Sequence, residues 1–201
     1  MRWKGETVFC IASGPSLTPD DVAAVRGHGR VVVCNTTFRL APWADALVAV
    51  DEGWWRAYGE EARKAFAGEF WTTSEAARDR YGIQWMRHSR DEGLTREPGV
   101  VRGGGNTGQA AVQMAYLWGA SQIILLGFDM QRTGGRAHWH PDHKGMANGG
   151  NFVKWAQRLD RVGAELRAAG VETINCTRQT ALKGWPRASL ESVIEGLHRA
   201  A

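Results

Sequence analysis

The stretch TVFCIASGPSLTPDDVAAVRGHGRVVVCN (residues 7–35) decides the fold. Two short apolar runs rich in β-branched residues, 7–12 and 30–34, flank a segment with helix signals. Thr18 is suited to cap that helix, and Pro19 fits its first position. A strand, a helix and a strand within about 30 residues predict two parallel strands joined by a crossover helix.

The same alternation continues along the chain. We expect strands at 46–50, 69–72, 83–87, 123–126 and 171–174, and helices at 52–67, 74–82, 106–120, 152–169 and 190–197. Alternating strands and helices predict an α/β fold with a doubly wound, mainly parallel, Rossmann-like sheet and helices on both faces. With 201 residues and no internal repeat, residues 1–201 are expected to form a single domain.

Two stretches, 88–105 and 130–150, carry neither a strand nor a helix pattern. We expect them to be long loops, which in compact domains are more often functional than accidental.

The composition excludes several classes of protein. An apolar share of 43% without low-complexity tracts excludes a disordered chain, and no apolar run is long enough to span a bilayer. The first residues lack a signal-peptide core, and the three cysteines lie in or beside apolar runs, as buried thiols do. We therefore expect a cytoplasmic protein. Its net charge of +4, with the basic residues dispersed, suits an anionic ligand as well as nucleic acid.

Polar residues follow four of the expected strands: Ser13, Asn35, Asp51 and Asp129. Because the carboxyl ends of parallel strands meet at one edge of a sheet, these side chains are expected to converge on a ligand site.

The first of these breaks is the turn SGPS, with Ser13, Gly14, Pro15 and Ser16 as candidate nucleotide contacts. Gly14 lets a ligand approach the backbone, while Ser16 and neighbouring amides can meet phosphate oxygens. An ordinary strand-to-helix turn is the alternative. The turn has neither the G-x-G-x-x-G spacing of dinucleotide sites nor the Gly-Lys-Ser/Thr of a P-loop, so no NAD or flavin is expected.

A second candidate anion cradle is RGGGNTG (residues 102–108), at the start of the expected helix 106–120. Asn106 or Thr107 can cap the helix, and Arg102 is a candidate counter-charge. The alternative is that the glycines only supply a flexible connection.

The third motif is HWHPDH (residues 138–143), with His138, His140 and His143. Imidazoles can act as general acid or base near neutral pH, bind zinc, or serve structural roles, and the sequence leaves these alternatives open. Trp54, Trp55 and Trp139 lie beside polar loop residues and are candidates for stacking on a ring ligand.

Taken in order, IASGPSL, VVVCNTTF, VAVDEGWW, GGNTGQAAVQMAYLWGASQIILLGFDM and INCTRQTALKGWP resemble segments of bacterial CMP-sialic-acid-dependent sialyltransferases. They are similar also to the related domains of motility-associated glycosyltransferases and 6-hydroxymethylpterin pyrophosphokinases, with small versions common in bacteriophages. The resemblance implies donor contacts at Gly14, Pro15, Ser16, Asn35, Thr107 and Gly108. It also implies that one loop histidine is the base for an acceptor hydroxyl.

The chain departs from the sialyltransferase pattern at Ser13 and Asp51, where those enzymes are expected to carry asparagine. Asp51 and Asp129 are candidate Mg²⁺ ligands, since a carboxylate near a phosphate needs an intervening cation. The leading hypothesis is a glycosyltransferase using a nucleotide-sugar donor and a hydroxyl acceptor. The alternatives are a Mg²⁺-dependent phosphotransferase acting on a nucleoside triphosphate, and, less favoured, a non-catalytic nucleotide or nucleic-acid binder using the arginines of loop 88–105.

Overall fold

The computed structural model describes residues 1–103, 105–143, 145–146 and 148–200. The strands are β1 (Thr7–Ile11), β2 (Arg30–Cys34), β3 (Ala46–Val48), β4 (Glu69–Thr72), β5 (Gln84–Trp85), β6 (Arg87–Ser89), β7 (Val100–Arg102), β8 (Gln122–Leu126) and β9 (Glu172–Asn175). The helices are α1 (Pro19–Ala24), α2 (Glu52–Ala65), α3 (Glu75–Tyr81), α4 (Thr107–Trp118), α5 (Phe152–Ala168) and α6 (Leu190–Ala200), with a short 3-10 helix at Asn35–Arg39.

The main sheet has seven strands in the order β5-β4-β3-β2-β1-β8-β9, and every neighbouring pair is parallel. The predicted doubly wound α/β fold is therefore confirmed. From β1 the chain runs outward through β5 and then crosses to the other side of β1 to form β8 and β9. The direction of winding changes between β1 and β8, and in such sheets ligands bind in the crevice beyond the strand ends at this point.

Apolar side chains cover both faces of the central strands, as a parallel sheet between two helix layers requires. Because side chains alternate along a strand, Cys10 and Ile123 pack under α4 and α5, whereas Phe9 and Ile124 pack against α1, α2, α3 and α6. The three cysteines are free, buried thiols, as predicted.

The prediction of an irregular loop at 88–105 is wrong in part. The expected strand 83–87 is divided between β5 and β6, and β6 leaves the main sheet to pair in parallel with β7. Two of the three β6 residues are exposed, so no apolar alternation marked the strand. Gln113 of α4 holds the pair in place: its Oε1 accepts from the amides of Thr95 and Arg102, and its Nε2 donates to the carbonyl of Arg102.

The stretch 130–150 contains no helix or strand in residues 130–143, 145–146 and 148–150, in agreement with the prediction of a loop. Among the helices described above, none combines the length and the apolar character that crossing a membrane requires.

Two helical glycines give a test of the packing. A Cβ on Gly163 of α5 would lie 2.6 Å from Nε1 of the buried Trp185, whereas a Cβ on Gly196 of α6 would meet nothing within 4 Å. Gly163→Ala should therefore lower the free energy of unfolding by about 1–3 kcal/mol through overpacking. Gly196→Ala should raise it by about 0.5–1 kcal/mol through helix propensity. Urea denaturation of both variants measures the difference, and the same sign for both would contradict the described packing of α5.

Candidate functional site

A cavity of about 410 Å³ lies beyond the carboxyl ends of β1, β2, β3 and β8. Its volume is within the range of sites that hold small ligands or cofactors, about 300–1,000 Å³. Ten of the residues proposed from the sequence as nucleotide, metal or acid–base contacts line it: Ser13, Gly14, Asn35, Asp51, Asn106, Thr107, Gly108, Asp129, His138 and His143. The expected convergence of polar strand ends is therefore present, and it includes the start of α4 and part of the histidine loop.

The turn at 13–16 binds the protein's own Asp129 carboxylate. Ser16 donates from its amide to Asp129 Oδ2 (3.0 Å) and from its hydroxyl to Asp129 Oδ1 (2.9 Å), and Thr133 donates its hydroxyl to Oδ2 (2.8 Å). Pro15 and Ser16 do not line the cavity. A ligand phosphate could use the Ser16 donors only by displacing this buried carboxylate.

Gly14 is required by the same contact. A Cβ at this position would lie 2.0 Å from Asp129 Oδ1 and 2.4 Å from the Gly127 carbonyl oxygen, to which the Gly14 amide donates (2.8 Å). Burial raises the pKa of Asp129, while the hydrogen bonds from Thr133 and Ser16 act in the opposite direction. Glycine at position 14 thus makes room for the Asp129 side chain. The sequence had suggested that it makes room for a ligand. Ser13 is also engaged internally, by the Cys34 carbonyl (3.4 Å) and the Thr37 hydroxyl (3.1 Å).

The N-terminus of α4 opens on the cavity. Asn106 caps the helix by accepting from the amide of Gln109 (3.0 Å), as predicted. Thr107 and Gly108 line the cavity, and because they stand in the first turn their amides have no partner within the helix. A Cβ on Gly108 would lie 2.7 Å from the Phe128 ring, so close packing against β8 requires glycine here. Backbone donors and the helix dipole make this terminus a place where an anion can bind.

Residues 103–108 also have the G-x-G-x-x-G spacing, which the sequence reasoning tested only at the first turn. They follow β7 and begin α4, and Asp129 lies about 20 residues further on, as in dinucleotide-binding units. Two features differ from that unit: β7 pairs with β6 outside the main sheet, and the Asp129 carboxylate is held by Ser16 and Thr133. The predicted counter-charge, Arg102, does not line the cavity.

Two cavity residues have left-handed backbone conformations without being glycine, Asn35 (φ 51°) and Met130 (φ 50°). Asparagine tolerates this region, but for methionine it costs about 1–2 kcal/mol. The Asn35 side chain accepts from the Thr107 hydroxyl (3.4 Å), which connects the end of β2 to the start of α4. Strain of this kind concentrates at ligand and active sites in proteins.

An aromatic wall completes the cavity, and the sequence analysis missed it. Phe152 and Trp155, in the first turn of α5, both line the cavity with their rings edge to face, 5.5 Å apart. A Cβ on Gly150 would lie 2.6 Å from the Trp155 ring, and one on Gly149 2.9 Å from the Phe152 ring. The glycine pair before α5 was the available signal, because it lets the backbone pack directly on two large rings.

Of the tryptophans proposed for stacking, only Trp54 lines the cavity. Its indole donates to the Thr36 hydroxyl (3.2 Å). The prediction for Trp55 is wrong: its ring is fully buried beneath α2, where its indole donates to the Ala49 carbonyl (2.8 Å). Trp139 donates to the Thr37 hydroxyl (3.3 Å), and it does not line the cavity.

The three loop histidines form one cluster, with ring centroids 4.7–5.9 Å apart. His138 and His143 line the cavity, whereas His140 is 6% exposed behind them with its Nδ1 2.8 Å from the Pro141 carbonyl. Burial lowers the pKa of all three imidazoles, and that of His140 to about 4. His138 and His143 are therefore neutral near pH 7 and accessible to a ligand, as a base or donor has to be.

Two carboxyl groups, Asp51 and Asp129, lie at the cavity wall. Asp51 precedes α2 without capping it, and partial burial raises its pKa. Both oxygens of Asp129 already accept hydrogen bonds, so a cation there would compete with Ser16 and Thr133. Within residues 1–103, 105–143, 145–146 and 148–200, no group of three or more His, Cys, Asp or Glu side chains could hold a metal ion. Mg²⁺ commonly needs only one or two carboxylates together with substrate phosphates, and Asp51 suits that role.

Acid should weaken the fold through His140. Its pKa is about 4 in the folded chain and about 6.5 in an unfolded one. Between these pH values the unfolded state binds more protons, so the free energy of unfolding decreases as the pH falls from about 7 toward 4. His140→Asn should remove about 2–3 kcal/mol of this decrease. Urea denaturation at several pH values measures it. An unchanged pH dependence in His140→Asn would contradict the role of His140.

Comparison with models of protein families, with curated proteins and with solved structures returns no match to this chain. The resemblance to sialyltransferases and their relatives therefore stays a prediction, and the function has to be inferred from the cavity.

Proposed function

We propose that this protein is a transferase that binds a nucleotide-activated donor, a sugar nucleotide in the leading hypothesis, and moves the activated group to a hydroxyl acceptor. The observation that carries the proposal is the cavity at the switch point of the sheet. It combines the N-terminus of a 12-residue helix, an aromatic wall and two accessible neutral histidines.

The donor's phosphate is best accommodated at the first turn of α4. The amides of Thr107 and Gly108 offer hydrogen bonds there, and the helix dipole adds positive potential. No lysine or arginine occurs among the lining residues that the structure describes. This terminus is therefore the main attraction for an anion in that part of the wall. The Trp155 and Phe152 rings offer a face on which a planar base can stack.

The histidines supply the acid–base chemistry of the proposed transfer. The acceptor hydroxyl gives its proton to a neutral imidazole as its oxygen forms the bond to the donor carbon. The bond between that carbon and the phosphate oxygen breaks, and the electron pair leaves with the phosphate. Donors near the leaving oxygen stabilise the charge that develops there.

A second candidate, Mg²⁺-dependent phosphoryl transfer from a nucleoside triphosphate, is favoured by Asp51. No hydrogen bond to its carboxylate is present among the described residues, and it lies in the wall of the cavity. Such a group can hold Mg²⁺ that also binds substrate phosphates.

Nucleic-acid binding through loop 88–105 has less support. Arg87, beside the loop, pairs with Glu97 (2.9 Å), and Glu92 of the loop pairs with Arg158 of α5 (2.8 Å). The loop's three arginines are balanced by three acidic residues, so its formal charge is zero and its attraction for phosphates is weak.

A thermal-shift screen separates these functions. CMP, CDP, UDP, GDP, ADP, ATP and NAD⁺ are each added with and without Mg²⁺. A ligand that binds only the folded chain at about 100 times its Kd contributes about 2.7 kcal/mol. For a domain of this size that corresponds to a rise in Tm of about 5–10 °C. A response to cytidine or uridine nucleotides supports the sugar transferase, and a Mg²⁺-dependent response to ATP supports phosphoryl transfer. Preference for NAD⁺, or no response to any nucleotide, would refute both.

Truncation of the aromatic wall tests where the base lies. Trp155→Ala should weaken binding of the best nucleotide about 5- to 150-fold, because stacking on an aromatic side chain contributes about 1–3 kcal/mol per base. Isothermal titration calorimetry measures the change. Val153→Ala is the matched control, since Val153 lies in the same turn of α5 but is exposed and away from the cavity. Unchanged affinity in Trp155→Ala would place the base elsewhere.

A further inference from the structure

Behind the cavity, Tyr58 of α2 contacts one of its two histidines. The Tyr58 hydroxyl lies 2.7 Å from Nδ1 of His143, and the two ring centroids are 4.9 Å apart. His143 lines the cavity and Tyr58 does not. The Tyr58 hydroxyl thus engages Nδ1 of His143, which leaves Nε2 as the ring nitrogen available to a ligand.

The surroundings of Tyr58 favour one direction for this hydrogen bond. Among the described residues its hydroxyl has no hydrogen-bond partner other than His143. The Arg39 guanidinium lies 5.5 Å from the centre of the Tyr58 ring and is bound by both Glu61 oxygens (2.6 Å each). Guanidinium has no acceptor, so it cannot take the phenolic proton. If His143 donated from Nδ1 to the Tyr58 oxygen, the phenolic proton would have no acceptor among the described residues, whereas donation from Tyr58 to Nδ1 satisfies both groups.

The loop backbone holds His143 in this orientation. The His143 amide donates to Asn148 Oδ1 (2.6 Å), and Asn148 Nδ2 returns a bond to the His143 carbonyl (2.8 Å). The charged and titratable groups that act on His143 include Arg39, Asp142, His138 and His140, whose ring centroid lies 4.7 Å from that of His143. Arg39 disfavours an imidazolium, and so does burial of the ring, so the neutral form is the one whose tautomer matters.

We infer that Tyr58 is a positioning residue that fixes neutral His143 with its proton on Nε2, so that His143 donates a hydrogen bond into the cavity. The remaining accessible imidazole, His138, is then the proton acceptor. A neutral imidazole keeps a lone pair on one ring nitrogen, and His138 lines the cavity where that lone pair can take a proton.

In the proposed transfer, on which this step rests, the two histidines have different roles. His138 takes the proton of the acceptor hydroxyl. His143 donates from Nε2 to the phosphate oxygen that leaves with the electron pair, and it keeps its own proton. A neutral imidazole can act as such a hydrogen-bond donor to developing negative charge.

Long-range ¹H–¹⁵N correlation spectra of the histidine-labelled full chain give the tautomer directly. The His143 signals are identified by their loss in His143→Gln. The expected result is a protonated Nε2 and an unprotonated Nδ1 at pH 7 or above. Protonation at Nδ1 would overturn the inference, and this reading requires neither a nucleotide nor activity.

The sign of a pKa change in Tyr58→Phe is the second measurement. A donor to the lone pair of neutral imidazole opposes protonation, so its removal should shift the His143 pKa upward; an acceptor of Nδ1–H would give a downward shift. Tyr81→Phe is the matched control, because it deletes a hydroxyl that donates to the Trp55 carbonyl (2.9 Å) on the same helix. It should leave the His143 titration unchanged, and a downward shift in Tyr58→Phe alone would refute the assignment.

Failure of the proposed function remains distinguishable from failure of this inference. If no nucleotide raises the Tm but the Nε2–H tautomer is observed, the positioning role stands and the transferase does not. If a donor is found, His138→Gln should lose the acidic limb of the pH–rate profile, which reports protonation of the proton acceptor, whereas Tyr58→Phe should lower kcat and leave that limb in place. The opposite pattern would assign the base to His143.

Discussion

The buried carboxylate of Asp129 connects the two strands between which the winding of the sheet reverses. It follows β8, and it accepts hydrogen bonds from the amide and hydroxyl of Ser16, beyond β1, and from Thr133 in the histidine loop. Its closeness to the Gly14 backbone leaves no room for a side chain there. A single 1%-exposed charge therefore ties the turn after β1, the end of β8 and the start of loop 130–150 into one arrangement. Loss of one partner would leave a buried charge undersatisfied, so these segments are expected to move together or not at all.

This contact also determines where a ligand's negative charge can lie. In many doubly wound sheets the crevice at the switch point offers free amides to a phosphate. Here the Ser16 donors are already used by the protein's own carboxylate, which in addition repels a second anion. The first turn of α4 lies across the cavity with the amides of Thr107 and Gly108 available, and the Asn106 cap leaves them free. The two anion-binding segments predicted from the sequence are thus not equivalent. The turn at 13–16 binds an internal carboxylate, whereas the start of α4 faces the cavity.

The sequence predicted much of the fold because parallel strands and their helices are encoded locally. The run 30–34 and the capping signals at Thr18 and Pro19 specify their elements without reference to the rest of the chain. The strand ends at Asn35 and Asp51 converge because the carboxyl ends of parallel strands lie at one edge of the sheet, which can also be predicted from the sequence. Contacts between segments that are distant in the sequence could not be predicted in this way. Trp55 was placed at a ligand site because polar residues surround it in sequence, yet it fills the core beneath α2.

The aromatic wall and the pairing of β6 with β7 escaped prediction for the same reason. Phe152 and Trp155 reach the cavity only because loop 130–150 brings α5 back across the strand ends. That loop has no helix or strand among its described residues, so polar contacts hold it: the Asn148 bonds to His143, the Trp139 amide on the Ser13 carbonyl (3.1 Å), and Thr133 on Asp129. Burial within this loop lowers the pKa values of the three imidazoles. The interactions that order the loop thus also keep its histidines neutral, so the stability of this segment and its capacity for proton transfer depend on the same few hydrogen bonds.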